Sequence, residues 1–245
     1  MFPELKIGGF AVSTYWVSIL FGVIAMAVIN LLRCRRYEIK KGWSLVITLL
    51  VALGGIAGAK ILFFLEQIGS TNPVVKVGEG FSFFGTMFGL PLFLWLYSRI
   101  FGMRAGKFMD YCTPAIIMMF AIIKVGCFFS GCCTGIEADW GVVFPGESVP
   151  RIPAQLFEMA GALAIFAGTL LVEKFWGREG MLYPVFLGTY GVIRFCVDFV
   201  RVTEKNLAGL SAGQIFSLVS IIAAALIFAL AIRKDRKKQI QRRQK

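Results

Sequence analysis

Runs of about twenty apolar residues, separated by short polar stretches, recur along the whole chain. A helix needs about 20 such residues to cross a hydrocarbon core, and read in windows of that length the pattern predicts seven spans, at 11–32, 44–67, 81–100, 108–129, 154–174, 180–200 and 211–232. Asp110 and Pro114 interrupt the start of the fourth span and Lys124 its end. The expected fold class is all-α: a polytopic membrane protein with seven transmembrane helices. The first run is long enough to span and carries no small-residue cleavage site, so it reads as a membrane helix and not as a cleavable signal. Residues 1–245 read as a single integral-membrane domain ending in a basic tail at 233–245. No internal repeat stands out, which argues against a transporter built from inverted halves.

Composition agrees with the pattern. The chain is 58% hydrophobic and 16% charged, with a mean hydropathy of +0.76, more apolar than a soluble core of this length requires. The net charge of +12 would suggest a nucleic-acid partner were it not so unevenly placed. Of the 26 Lys and Arg residues, eight crowd into 233–245, five into 33–41, three into 99–107 and two into 174–178. All eighteen fall on one side of the seven-span reading. The N-terminal end and the loops 68–80, 130–153 and 201–210 are basic-poor. By the positive-inside rule the N-terminus is expected outside and the C-terminus in the cytoplasm. Basic blocks beside apolar spans serve topology and anionic lipid, so no nucleic acid is expected as a partner. Histidine is absent, which removes the commonest general base and the commonest metal ligand.

Several ionisable residues fall within or beside the spans: Lys60, Glu66, Lys124, Glu158, Arg194, Asp198 and Arg201. A charge at mid-membrane costs roughly 2.5–3.5 kcal/mol on insertion scales, so each implies either a compensating partner or a function. Arg194 and Asp198 are four apart on one helical face, with Tyr190 a turn earlier and Arg201 following. A guanidinium at the depth of lipid headgroups suits a phosphate, because its donor fork matches two oxygens at once. Lys124 would add a second positive charge. The stretch 123–135 and the cluster from Arg194 to Arg201 are expected to face each other across a lipid-accessible cavity. The plainer alternative ties Arg194 to Asp198 alone.

Cys127, Cys132 and Cys133 offer three readings: metal ligands, a redox pair, or small packing residues. Structural zinc wants four ligands, and Cys-x4-Cys-Cys without histidine or a second cluster serves it poorly, so no metal is expected. A disulfide on an oxidising outer surface stays open. Tight packing, with Gly126 and Gly131 permitting close backbone approach, is the leading reading. Cys34, Cys112 and Cys196 read as structural, and the small residues from Gly54 to Ala59 suit close helix packing. The loop 130–153 is long enough to be functional. It leads into a helix start with Pro153 and Gln155 in its first turn.

Taken in order, several stretches resemble the prolipoprotein diacylglyceryl transferase family. Ile7-Gly8 and Thr14-Tyr15-Trp16 are similar to its N-terminal motif, and Gly58-Ala59-Lys60-Ile61-Leu62-Phe63-Phe64 to its glycine–arginine segment, with lysine at the arginine position. Phe81-Ser82-Phe83-Phe84-Gly85 stands where the family has Ser-Phe-His-Gly. Lys124-Val125-Gly126-Cys127-Phe128-Phe129-Ser130-Gly131 resembles Arg-Ile-Gly-Asn-Phe-Ile-Asn-Gly. Arg151-Ile152-Pro153-Ala154-Gln155-Leu156-Phe157-Glu158 resembles Arg-His-Pro-Ser-Gln-Leu-Tyr-Glu. Tyr190-Gly191-Val192-Ile193-Arg194-Phe195, with Asp198-Phe199-Val200-Arg201, resembles Tyr-Gly-x-x-Arg-Phe and Glu-Phe-x-Arg. Gly209-Leu210-Ser211-Ala212-Gly213-Gln214-Ile215 looks like the lead into the family's last span. The sequence departs from the pattern where Phe84 and Ile152 replace histidines, Lys60 and Lys124 replace arginines, and Cys127 replaces asparagine.

The resemblance implies a reaction: the diacylglyceryl group of phosphatidylglycerol passes to the thiol of a lipobox cysteine in a prolipoprotein, and glycerol phosphate leaves. No cofactor is implied. The implied setting is the bacterial inner membrane, with phosphatidylglycerol and prolipoproteins as partners. A carbon–oxygen bond breaks and charge develops on a phosphate ester, which needs cationic stabilisation. Arg194 is the first candidate for that role, with Tyr190, Glu158 and Tyr15 as candidates for positioning or proton handling. Lys124, Arg201, Arg151, Lys60, Gln155, Gly126 and Ser130 are the implied phospholipid-binding set, and Asp198 is the structural partner of Arg194. The alternative is a protein of the same fold that binds phospholipid without transferring it.

Overall fold

The computed structural model describes residues 4–7, 10–67, 83–203, 205–207 and 209–243. Among them the apolar runs form seven α-helices: α1 (Thr14–Arg33), α2 (Lys41–Gln67), α3 (Phe83–Ile100), α4 (Ala105–Ser130), α5 (Ala154–Trp176), α6 (Leu182–Val197) and α7 (Ala212–Arg243). Short antiparallel pairs decorate the ends: β1 (Glu4–Ile7) with β2 (Phe10–Ser13), and β4 (Lys205–Leu207) with β5 (Leu210–Ser211), while β3 (Glu137–Val142) lies in the long loop. The protein is an all-α membrane protein. Among the described residues six helical stretches are long and apolar enough to cross a membrane, one of them being α6 together with the turn that follows it, Leu182–Val200; α3, with 18 residues and Pro91 inside, is not among the six.

Boundaries move where local chemistry overrides hydropathy. The run expected to span from residue 11 begins as β2, with Ser13 opposite Glu4, so the helix starts at Thr14. The sixth run, expected to reach residue 200, leaves α-geometry after Val197 and closes with a 3-10 turn over Asp198–Val200. Helix α5 stops at Gly177, whose φ of +57° is the left-handed conformation glycine adopts freely. Pro114 does not break α4, which runs unbroken from Ala105 to Ser130. A proline removes the N–H that would bond the carbonyl four residues back. That carbonyl belongs to Asp110, and Arg33 Nη2 donates to it at 2.9 Å. The family-like stretch at Gly8 and at 81–82, and the loop 68–80, fall outside the described residues, as does the side chain of Glu66.

The chain divides into two compact units, Val23–Ile116 and the remainder, Met1–Gly22 with Ile117–Lys245. In the first, α2 and α3 approach closely at glycine. A Cβ on Gly58 would lie 2.6 Å from the Gly85 carbonyl oxygen, and Thr86 Oγ1 donates to the Gly55 carbonyl at 2.9 Å. The same unit holds a polar knot: Asn30 Nδ2 donates to Thr48 Oγ1 at 2.9 Å, and Tyr111 OH donates to the Asn30 carbonyl at 3.1 Å.

In the second unit, α6 packs between α5 and α7. Helix α7 starts on a reciprocal capping box. Gln214 N–H donates to Ser211 Oγ at 3.0 Å, and Ser211 N–H donates to Gln214 Oε1 at 3.1 Å. The loop after α4 is pinned by backbone pairing on both sides. Gly135 N–H donates to the Ile152 carbonyl at 2.8 Å and Ile136 N–H to the Val200 carbonyl at 2.9 Å, with an antiparallel bridge between Gly135 and Arg201. Only glycine fits at 135, because a Cβ there would lie 2.5 Å from the Val200 carbonyl and 2.8 Å from Ile152 Cβ.

Candidate functional site

The second unit gathers five ionised side chains that are far apart in sequence. Helix α5 contributes Glu158, fully buried; α4 contributes Lys124; α6 contributes Arg194; Asp198 and Arg201 follow at its end. Glu158 is the hub. Its Oε2 lies 2.5 Å from Lys124 Nζ and accepts the Tyr190 hydroxyl at 2.9 Å. Its Oε1 accepts Arg194 Nη1 at 2.9 Å and Arg201 Nη1 at 2.7 Å. Asp198 forms the second layer: its Oδ1 lies 2.8 Å from Arg194 Nη2, and its Oδ2 accepts the Ser211 hydroxyl. Burial makes each interaction stronger, and it makes any missing partner expensive.

The expected clusters at Lys124 and at Arg194 to Arg201 do come together, and they meet on Glu158. Arg194 is not tied to Asp198 alone; its fork is split between Glu158 and Asp198. The Tyr190–Arg194–Asp198 stripe survives the end of the helix, since the Asp198 N–H still bonds the Arg194 carbonyl. Tyr190 stacks edge-on against Phe120 at 5.0 Å, and Lys124 Nζ lies 5.1 Å from the centroid of the same ring. The aromatic face therefore fixes both donors to Glu158 Oε2.

The other expected site residues are placed as follows. Gly126 lets α4 approach α1, since a Cβ there would overlap the Ser18 side chain. Gln155 is fully buried and donates through Nε2 to the Cys132 carbonyl at 2.6 Å. Its Oε1 and the Ser130 hydroxyl have no hydrogen-bond partner among the described residues. Arg151 pairs with Glu147 at 3.0 Å and Glu137 at 3.7 Å, within the loop. Tyr15 is half-buried in the first turn of α1, within electrostatic reach of Cys127, Cys132 and Cys133. Lys60 belongs to the other unit, on α2, with Nζ 5.7 Å from the Phe63 ring centroid.

Two contributors had no reading of their own in the sequence. Ser211 anchors Asp198, and its Ser-x-x-Gln spacing is the signal that could have placed it. Gly213 brings α7 against the pair, where a Cβ would lie 3.0 Å from Arg194 Nη2 and from both Asp198 oxygens. The cysteines form a cluster, with the sulfurs of Cys127, Cys132 and Cys133 all within 4.8 Å of one another. Cys133 reaches the cluster from a left-handed backbone, φ +62°, a strain of about 1–3 kcal/mol that the neighbouring pairing must hold. Its thiol is held well below the ordinary thiol range. The hydrogen bonds of Cys127 and Cys132 contribute most, and Lys124 and Arg201 add to them against the effect of burial. Cys132 is pushed up to about 11, because its bond to Cys127, which favours the thiolate, is outweighed by its bond to Cys133 and by burial.

Fold and site together define a class: an α-helical membrane protein that holds an ion-paired cluster among three of its helices. A family model described as prolipoprotein diacylglyceryl transferase matches residues 4–230, and the chain belongs to that family. It is similar to the phosphatidylglycerol--prolipoprotein diacylglyceryl transferase of Dehalococcoides mccartyi, 30% identical over 243 residues that cover 94% of each chain. It is also similar to the protein of the same name from Cupriavidus necator, 31% identical over 252 residues, 94% of this chain and 92% of the relative. The like-named protein of Clostridium tetani is 24% identical over 232 residues.

Proposed function

We propose that this chain transfers the diacylglyceryl group of phosphatidylglycerol to the thiol of a lipobox cysteine in a prolipoprotein, releasing glycerol phosphate. The carrying observation is the charge balance around Glu158. Lys124, Arg194 and Arg201 face two carboxylates, Glu158 and Asp198, so the cluster keeps one positive charge in excess, and a phosphodiester supplies the complement. Arg194 is assigned to the charge that develops on the leaving phosphate, with Lys124 and Arg201 supporting it. Tyr190 and Glu158 position these groups. Tyr15, beside the cysteines, is assigned to the acceptor side.

The proposed topology has seven spans, α3 joining the other six helices. Its Pro91 is compatible with a helix in lipid, where neighbouring groups satisfy the freed carbonyl. The N-terminus lies outside, the C-terminus is cytoplasmic, and the membrane is the bacterial inner membrane. The uneven placing of Lys and Arg supports this orientation.

The test incubates purified full-length protein with phosphatidylglycerol and a lipobox peptide and follows the peptide's mass. The expected result is a diacylglyceryl gain on the cysteine peptide and none on its serine counterpart. Folded protein that binds phosphatidylglycerol but adds no mass would overturn the reading in favour of a lipid-binding protein of the same fold.

A further inference from the structure

The cysteine cluster takes no part in the ion-paired hub, yet it is built onto it. Cys127 is buried near the end of α4, while Cys132 and Cys133 are exposed as whole residues in the turn that follows, with their sulfurs drawn in toward Cys127. None of the three is in a disulfide. The turn is fixed from several directions. Gln155 holds the Cys132 carbonyl, Cys132 N–H donates to the Cys127 carbonyl at 3.1 Å, and the Gly135–Arg201 bridge anchors the segment just beyond. Arg201, which reaches Glu158 through Nη1, also acts electrostatically on Cys133. Lys124 acts electrostatically on all three sulfurs.

We infer that Cys127, Cys132 and Cys133 form a trithiolate site for a zinc-class divalent cation, and that its open fourth position takes the acceptor thiol. The acceptor role rests on the transferase reading above; the metal site itself does not. Zinc bound by thiolate sits about 2.3 Å from sulfur, so a tetrahedral site needs sulfurs roughly 3.8 Å apart, and a small contraction of the cluster reaches that spacing. Soft thiolate donors select zinc over magnesium or calcium. Sites with three protein ligands are the ones that keep a position open for chemistry. A dication with three thiolates carries one net negative charge, against three for the bare thiolates, so the metal reduces the charge that the cluster holds beside Arg201. Cys127 closes one side of the site, and the exposure of Cys132 and Cys133 leaves the other side to an incoming peptide.

The chemistry follows from what the chain lacks. The nucleophile must be a thiolate, and no histidine is present to take the thiol proton. A thiol that ligates zinc is deprotonated outright, its proton passing to water. The bound sulfur then attacks the glyceryl carbon. A carbon–sulfur bond forms as the carbon–oxygen bond to phosphate breaks, and the electron pair leaves on the oxygen of glycerol phosphate beside Arg194. Nothing is oxidised or reduced. The thioether product is a weaker ligand than the thiolate and departs.

The test loads chelator-stripped full-length protein in detergent with Zn2+ or Co2+. Metal retained after gel filtration is measured by mass spectrometry, and Co2+ ligation by its thiolate charge-transfer absorption. One equivalent per chain is expected, with affinity falling at least about tenfold in each of Cys127→Ser, Cys132→Ser and Cys133→Ser. Cys→Ala variants and a melting curve control for folding. Adding a lipobox peptide should shift the Co2+ ligand-field bands, and a serine peptide should not. No retained metal, or retention unchanged in the triple variant, would overturn the site. Unaltered bands with the cysteine peptide, or equal transfer by stripped and loaded protein, would remove the acceptor role and leave the transferase reading intact. Absence of transfer with metal bound at the three cysteines would instead count against that reading alone.

Discussion

Lys124 and Arg194 are held to opposite oxygens of the Glu158 carboxylate, Nζ at 2.5 Å from Oε2 and Nη1 at 2.9 Å from Oε1. With Arg201 also on Oε1, a single buried anion keeps three cations together. Removing one member of a buried pair leaves uncompensated charge and costs about 3–5 kcal/mol. Glu158→Gln keeps the shape and loses the charge, so it should lower the melting temperature in detergent and abolish transfer. A wild-type melting curve for this variant would mean that the cations are neutralised elsewhere.

Arg194 divides its fork between two carboxylates, which a lysine cannot copy. Arg194→Lys keeps the positive charge against Glu158 and should leave the protein folded. Turnover should drop by about 10^2–10^3, the loss typical when one preorganised donor to a developing anion is removed. Steady-state transfer measured alongside a melting curve checks this. Turnover at the wild-type rate would sink the assignment of Arg194.

At Gly135, rigid backbone meets the position a side chain would occupy. Gly135→Ala should destabilise by about 1–3 kcal/mol and weaken transfer by displacing Arg201, its bridge partner. Gly168→Ala, in α5 with nothing within 4 Å, is the matched control. It should be neutral or stabilising by up to about 1 kcal/mol. Denaturant titration of the two variants gives the comparison, and equal effects would discount the bridge.

The Arg33 bond to the Asp110 carbonyl exists because Pro114 offers no N–H. Arg33→Ala should therefore cost more in the parent than in a Pro114→Ala background, where the restored amide satisfies the same carbonyl. A coupling of about 1 kcal/mol is expected from a double-mutant cycle on melting free energies. Additive effects would show that the carbonyl does not depend on Arg33.

Much of this was legible in the sequence, and for physical reasons. Apolar runs as long as those at 154–174 and 211–232 have few alternatives to helix in lipid, so α5 and α7 follow from hydropathy. The four-residue spacing of Tyr190, Arg194 and Asp198 placed them on one face. The hub was less visible. Glu158 accepts donors from α4, from α6 and from beyond α6, and no local pattern encodes which buried carboxylate will collect which cations. Pro114 looked like an interruption because the compensating group, Arg33, is remote in sequence. The clustering of the cysteines was not legible because their proximity depends on the left-handed turn at Cys133 and on pairing at Gly135, neither of which leaves a periodic signal.

The hydroxyl of Ser211 accepts a hydrogen bond from the Gln214 amide at the start of α7 and donates one to Asp198. One oxygen thus belongs to two histories, that of a helix beginning and that of a charged centre being kept in order. A mutation at this codon is a single event with two effects, and selection cannot tell them apart. Threonine alone among the common replacements preserves both bonds. Variation at position 211 should therefore look far more restricted than at an ordinary helix cap.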